Sequence, residues 1–143
     1  NNNTNAMTDA QIRGMNLFFS DRTNCSTCHS GFNFTNYAFE NNGLYIQYAD
    51  IGRMRLTLKE EDMALFKVPG LRNIEMTGPY MHDGSIQTLQ QVIDHYQSGG
   101  MDHPHKNPIL KPLDLTTPEQ KDLIEFLKAL TDDTFLTNPI FKY

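Results

Sequence analysis

Cys25-Ser26-Thr27-Cys28-His29 is the stretch on which the reading of this chain turns. Two thiols two residues apart, followed at once by a histidine, form the attachment motif of a c-type haem. Both sulfurs can reach the vinyl groups of one porphyrin while the histidine offers a ring nitrogen to its iron, which makes the site a redox centre. Two rivals share these residues. A thioredoxin-like dithiol needs a strand-to-helix context, whereas the residues before Cys25 read as a helix followed by a polar turn. A zinc site would join Cys25 and Cys28 to His103 and His105, but the one-residue gap between those histidines departs from zinc-finger spacing.

Outward from the motif, helix signals dominate. Thr8 and Gln11 form a capping box, after which Ile12, Met15 and Phe19 recur at helical spacing as far as the Asp21-Arg22 turn. Near the other end, Thr117-Pro118-Glu119-Gln120 offers a cap, a proline at the first helical position and a second box, and Leu123, Ile124, Leu127 and Leu130 follow on one face. Gly14 removes a side chain in mid-helix at a cost of about 1 kcal/mol. Its presence predicts the close approach of another backbone or of a ring, with Phe126 the candidate. A third box, Thr88 with Gln91, opens a helix whose apolar positions are Leu89, Val92, Ile93 and Tyr96, so Tyr96 faces inward before Ser98-Gly99-Gly100 stops the helix.

The remainder reads as connection. Gly31 to Gly52 is rich in asparagine and glycine and reads as loop, Lys59 to Leu65 reads as a short helix ended by Val68-Pro69-Gly70, and His103 to Pro112 reads as a connecting loop. No convincing period-two strand is visible. Residues 1–7 read as a disordered tail and 8–143 as one all-α domain with long loops around a single covalently bound haem.

Composition narrows the function. Hydrophobic residues make up 38% of the 143, a low share for a globular chain, and a buried porphyrin would supply apolar surface that side chains do not. With a formal net charge of -5 and no stripe of lysine and arginine, nucleic acid is not an expected partner. No apolar stretch is long enough to cross a bilayer, and no signal peptide is visible, so a mature form or a fragment is expected. Thioether attachment of haem takes place on the outer face of the cytoplasmic membrane, which makes the periplasm the expected compartment.

Three segments carry a resemblance: Phe66-Lys67-Val68-Pro69-Gly70-Leu71-Arg72-Asn73-Ile74, Thr77-Gly78-Pro79-Tyr80-Met81-His82-Asp83-Gly84, and Thr88-Leu89 with the helix to Tyr96. Together with Cys25 to His29, Phe39 to Gly43 and the Thr-Pro-Glu helix, they resemble the second haem domain of bacterial dihaem cytochrome c peroxidases and their MauG-like relatives. The resemblance implies a cytochrome c-like fold with crossed terminal helices. It also implies an enzyme of two such domains, in which one haem reacts with hydrogen peroxide and the other passes electrons to it. With one attachment motif, this chain resembles the electron-transfer half. Its implied partners are a second haem domain of the same enzyme and a small electron-donor protein or a protein substrate. No tryptophan occurs here, so the tryptophan between the haems of such enzymes would belong to the other domain.

By the same resemblance His29 is the proximal iron ligand. The corresponding distal position holds methionine in the peroxidases proper, whereas Tyr96 matches the MauG-type pattern. Thioether ligation raises a haem potential, while a phenolate stabilises ferric iron. Met101, after two flexible glycines, is the alternative ligand. Met81 reads as packing, and His82, His95, His103 and His105 as surface or loop residues, with His82 the one nearest to a role. Arg72 is a candidate partner for a haem propionate. Backbone carbonyls of Thr77 and Pro79 would contribute to a calcium site between the two domains, as the resemblance implies. A free-standing monohaem electron carrier and, further off, a structural zinc domain are the competing functions.

Overall fold

The computed structural model describes residues 6–141, and its three long helices each begin at a capping box. The Thr8 hydroxyl accepts from the Gln11 N–H while Gln11 Oε1 accepts from the Thr8 N–H at 2.9 Å, starting α1 (Asp9–Phe18). Thr88 and Gln91 do the same for a later helix, Leu89–Ser98, which ends at Gly99 in the left-handed conformation. The C-terminal helix, Thr117–Lys128, is capped by Thr116 rather than Thr117, because Glu119 three residues on is the side chain that reaches back to the Thr116 N–H, at 2.8 Å. Pro118 therefore sits at the second helical position.

The two terminal helices cross at Gly14. A Cβ there would overlap the Asp122 carbonyl oxygen outright and would lie 2.9 Å from Phe126 Cβ, so backbone on backbone is what the glycine permits. Phe18, one helical turn from Gly14, is the buried aromatic of α1, while Phe19 is 54% exposed because the helix ends before it. Phe18 and Phe126 meet with ring centroids 5.2 Å apart, and Phe34 packs on both. Leu71, Leu89, Ile93, Leu115, Leu123, Ile124 and Leu127 complete the core, with Met15 and Leu130 half-buried against it. Arg13 clamps the same crossing with a bidentate pair to Asp122, at 2.7 and 2.8 Å.

Outside the three long helices the chain departs from the sequence reading. The single turn α2 is Cys25–Cys28. Beyond it, β1 (Phe39–Glu40) pairs antiparallel with β2 (Phe66–Lys67), Phe39 facing Lys67, and strands this short leave no periodicity to read. The helix expected over Lys59–Leu65 is absent. In its place are α3 (Met54–Thr57) and a 3-10 turn at Glu60–Asp62, separated by Leu58 in the left-handed region. Tertiary pairing overrides propensity here: the Ala64 N–H donates to the Ile51 carbonyl and the Leu65 carbonyl accepts from Arg53, which pulls residues 64–65 out of any helix. In chain order, Leu89–Ser98 is α4, Thr117–Lys128 is α5, and Asp133–Thr137, capped by Asp132, is α6, which the sequence reading did not include.

Of the expected N-terminal tail, residues 1–5 lie outside the described residues, and Met7 packs half-buried against the core rather than trailing in solvent. No described helix is long and apolar enough to cross a membrane.

Candidate functional site

The turn that carries the two thiols is built by short-range hydrogen bonds. Asn24, left-handed at φ 54°, leads into it, and the His29 N–H closes it on the Cys25 carbonyl at 2.9 Å. The chain then folds back, with Thr35 N–H on the Ser30 carbonyl and Asn36 N–H on the Cys28 carbonyl, each at 2.8 Å. This return brings the Phe34 carbonyl to 3.0 Å from His29 Nδ1. A carbonyl can only accept, so Nδ1 carries the proton and Nε2 keeps a free lone pair. Burial pushes the His29 pKa down, which keeps the ring neutral and suited to a metal. Both cysteines are free thiols. Burial pushes both above the ordinary thiol value, and the Glu40 carboxylate adds to the effect at Cys28.

Cys25, Cys28 and His29 line a cavity of about 350 Å³ whose walls include Phe18, Val68, Leu71, Ile93 and Leu123. Tyr96 lines the same cavity. Burial raises its phenol pKa, and a hydrogen bond from the Asn42 side chain pulls the other way.

The other candidate residues divide. Met81 and His82 line the cavity, His82 stacked on Phe66 with centroids 3.9 Å apart. Met101 is 53% exposed and is not among the lining residues, because its N–H is drawn to the Gly43 carbonyl at 2.6 Å. The thioether that the fold brings to the cavity is therefore that of Met81. Arg72 also lies outside the lining: its guanidinium stacks on Phe32 at 4.0 Å and Nε donates to the Phe32 carbonyl at 2.8 Å. Lys67 and Lys111 are the cations that do line it. His103 and His105 do not join the cysteines. His103 is engaged by Asn41 and His105 by the Met63 carbonyl, and among the described residues no three His, Cys, Asp or Glu side chains converge on a metal position. Thr77 and Pro79 are exposed, and the Thr77 hydroxyl donates to the Ile74 carbonyl at 3.2 Å. Asn42, Glu40, Lys67 and Lys111 are among the lining residues to which sequence reasoning gave no role, as are Thr23, Asn24, Asn41 and Asn107. Asn42 and Glu40 fall in the segment read as loop, where nothing in composition marks a side chain as inward.

Known proteins similar to this chain carry the names MauG and cytochrome-c peroxidase. The chain is 38% identical over 120 residues to a methylamine utilization protein MauG of Methylorubrum extorquens, which covers 82% of this chain and 33% of that protein. It is 33% identical to the cytochrome-c peroxidase IdrP1 of Denitromonas iodatirespirans, covering 94% of this chain and 43% of the relative. Among solved structures, a MauG-like protein associated with microbial copper homeostasis superposes with a TM-score of 0.87 at 35% identity, covering 95% of this chain and 51% of the other. The chain belongs to the dihaem cytochrome c peroxidase and MauG-like family. No protein-family model matches it. The dihaem peroxidase BthA, in a Y463M variant, shares the fold at a TM-score of 0.78 and 21% identity.

Membership of the dihaem peroxidase family implies haem c, and the residues present fit that group. Two thiols on one helical turn, a neutral imidazole with a free Nε2 and a largely apolar cavity meet the needs of a thioether-bound porphyrin with an iron ligand. The fold is the mostly helical, loop-rich one of these enzymes, and the chain spans about a third to two fifths of the length of the first curated relatives.

Proposed function

We propose that this chain is the haem c electron-transfer domain of a dihaem cytochrome c peroxidase-family oxidoreductase, relaying electrons to a peroxide-reducing haem in a second domain. The observation that carries this reading is the single cavity that collects Cys25, Cys28, His29 and Tyr96. When bound, the haem supplies a one-electron store. The chain's own residues would hold it by two thioethers, present His29 Nε2 to the iron from a ring oriented by the Phe34 carbonyl, and present Tyr96 as distal ligand. Lys67 and Lys111, rather than Arg72, would pair with the haem propionates, since they line the cavity and Arg72 does not. The apolar walls exclude water and thereby strengthen each charge inside.

The compartment that suits such a protein is the periplasm, and its partners are a second haem domain, an electron-donor protein or a protein substrate, and peroxide at the other haem. Calcium would draw only backbone carbonyls of Thr77 and Pro79 from this chain. A hard cation takes about six to eight oxygens, so these residues alone do not fit the ion and no step is assigned to it.

Haem counting tests the proposal. Matured with c-type machinery, the chain should carry one covalently attached haem per polypeptide, exchange electrons with a small redox protein and leave peroxide unreduced. Peroxide turnover by this chain alone would overturn the division of labour, and a colourless product from a working maturation system would overturn the haem assignment.

A further inference from the structure

Arg72, which does not line the haem cavity, belongs to a strip of exposed rings and cations on the outer side of the cavity wall. Its guanidinium lies on the ring of Phe32, and Phe32 is 80% exposed. Two further pairs continue the strip. Lys67 Nζ stands 5.1 Å from the ring centroid of Tyr37, itself 57% exposed, and the Arg53 guanidinium stands 4.7 Å over Phe39. The rings come from residues 32–39 and two of the cations from residues 66–73. Thr35 Oγ1 on the Val68 carbonyl at 2.7 Å and the Val68 N–H on the Ala38 carbonyl at 2.8 Å tie these segments together. Neither residues 30–39 nor residues 66–73 include an acid, in a chain whose formal net charge is -5.

Of the three cations, Arg72 is the one with its hydrogen-bonding fork to spare. Lys67 also lines the cavity, and Arg53 pairs with Asp62 at 3.3 Å. Arg72 spends Nε on the Phe32 carbonyl at 2.8 Å, and among the described residues its two Nη nitrogens hold no hydrogen bond and no ion pair. Asp132, a carboxylate whose charge Arg72 reaches, is engaged instead by the Thr134 hydroxyl at 2.6 Å and the Phe135 N–H at 3.0 Å. The backbone on either side of Arg72 is fixed, with the Leu71 N–H on the Asn33 carbonyl and the Asn73 N–H on the Leu130 carbonyl.

We propose that Arg72, seated on Phe32, anchors a docking face for the acidic surface of a small electron-donor protein. This rests on the electron-transfer reading given above. The two free Nη nitrogens suit a carboxylate, and arginine and aromatic side chains supply much of the binding energy at protein interfaces. A guanidinium already held on its ring loses little freedom when a partner arrives. The inner side of the same wall serves the redox site. Val68, Pro69 and Leu71 line the cavity, and Phe34, two residues from Phe32, gives His29 its carbonyl. A donor on this face delivers its electron one layer of chain from His29, the donor losing the one electron that the haem gains. Nucleic acid also favours cations and rings, but it needs open ring faces for its bases to stack on, and here one face of each ring is taken by a cation.

The probe is a plant-type [2Fe–2S] ferredoxin, small and acidic, titrated into the haem-loaded chain, with basic mitochondrial cytochrome c as the opposite-charge control. Ferredoxin should bind at low salt, weaken as salt is added and shift the amide signals of residues 30–39 and 66–73, while cytochrome c should bind less tightly. Arg72→Gln should lower the affinity for ferredoxin about fivefold, the upper end for an exposed charge pair, and Arg72→Lys should recover part of it. Phe32→Ala should lower it at every salt concentration. Lys121→Gln removes the same charge from an exposed position of α5 and should leave the affinity unchanged. Thermal melts confirm that each variant is folded. The docking face is overturned if wild type does not bind ferredoxin, if it prefers cytochrome c or an oligothymidylate, or if folded Arg72→Gln and Phe32→Ala bind as wild type does. Binding by this chain that is lost in the full-length protein would give the strip to the second haem domain and overturn the proposal too. Failure to attach haem in a working maturation system overturns the electron-transfer reading instead, a result that the haem count reports separately from the binding comparison.

Discussion

Gly14→Ala should destabilise this protein, against the usual sign of that substitution. At an exposed helix position alanine is favoured over glycine by about 1 kcal/mol. Here the new Cβ would overlap the Asp122 carbonyl oxygen and stand 2.5 Å from its carbon and 2.9 Å from Phe126 Cβ. None of these is the free end of a flexible side chain, so α1 and α5 must move apart or bend. Overpacking of this kind costs about 1–3 kcal/mol, occasionally more, and backbone atoms on both sides put the site at or beyond the upper end. After the propensity gain is deducted, a net loss of about 2 kcal/mol remains, which for a chain of this size lowers the Tm by roughly 4–8 °C. Thermal melts of the haem-loaded protein followed by far-UV circular dichroism read it directly. Asn16→Ala, at an exposed position of the same helix, serves as the control and should hold or raise the Tm. A Gly14→Ala protein that melts at or above wild type would refute the close crossing.

Two more outcomes follow from the caps and charges. Hydrogen bonds from Arg22, and then from the backbone and hydroxyl of Thr116, hold the Glu119 carboxyl at about 2 against an ordinary 4.5. A depressed acid stabilises the fold above pH 4.5 and loses that contribution as pH falls through about 2. The Tm difference between wild type and Glu119→Gln should accordingly shrink across that window, and a difference that stays constant through it would refute the linkage. Thr88→Ala removes the hydroxyl that accepts from the Gln91 N–H at 3.2 Å. It should cost about 1 kcal/mol and speed amide exchange in the first turn of α4, the helix that carries Tyr96; unchanged exchange there would count against the cap.

What could be read in advance was whatever rests on local chemistry. Thr8 and Thr88 cap their helices through backbone groups three residues away, and such information lies within one turn of chain. Gly14 announced a close crossing because a glycine in mid-helix has a cost that some contact must offset, although the nearest group proved to be the Asp122 backbone rather than the Phe126 ring. What was illegible depends on partners distant in sequence. Met101 and Met81 are equally apolar on paper, and only the bonds from Met101 to Gly43 and from Asn42 to Met81 decide which sulfur meets the cavity. Arg72 looked suited to a haem propionate until Phe32, 40 residues away, claimed its guanidinium. Lys59 to Leu65 has helical propensity that its pairing with residues 51–53 overrules.

The cavity wall draws on residues from Phe18 to Leu127, and that spread bears on how the protein matures. A porphyrin captured from solution would have to wait for these scattered segments to converge. Tethered at Cys25 and Cys28 as proposed above, it would meet them at a local concentration set by the length of intervening chain, in the millimolar range for short flexible connections. Attachment then turns a bimolecular search into ring closure, whose entropic penalty grows only slowly with loop length. On the proposed reading, the Cys25–His29 pentapeptide would act as an anchor point from which the later segments assemble around a pigment already in place.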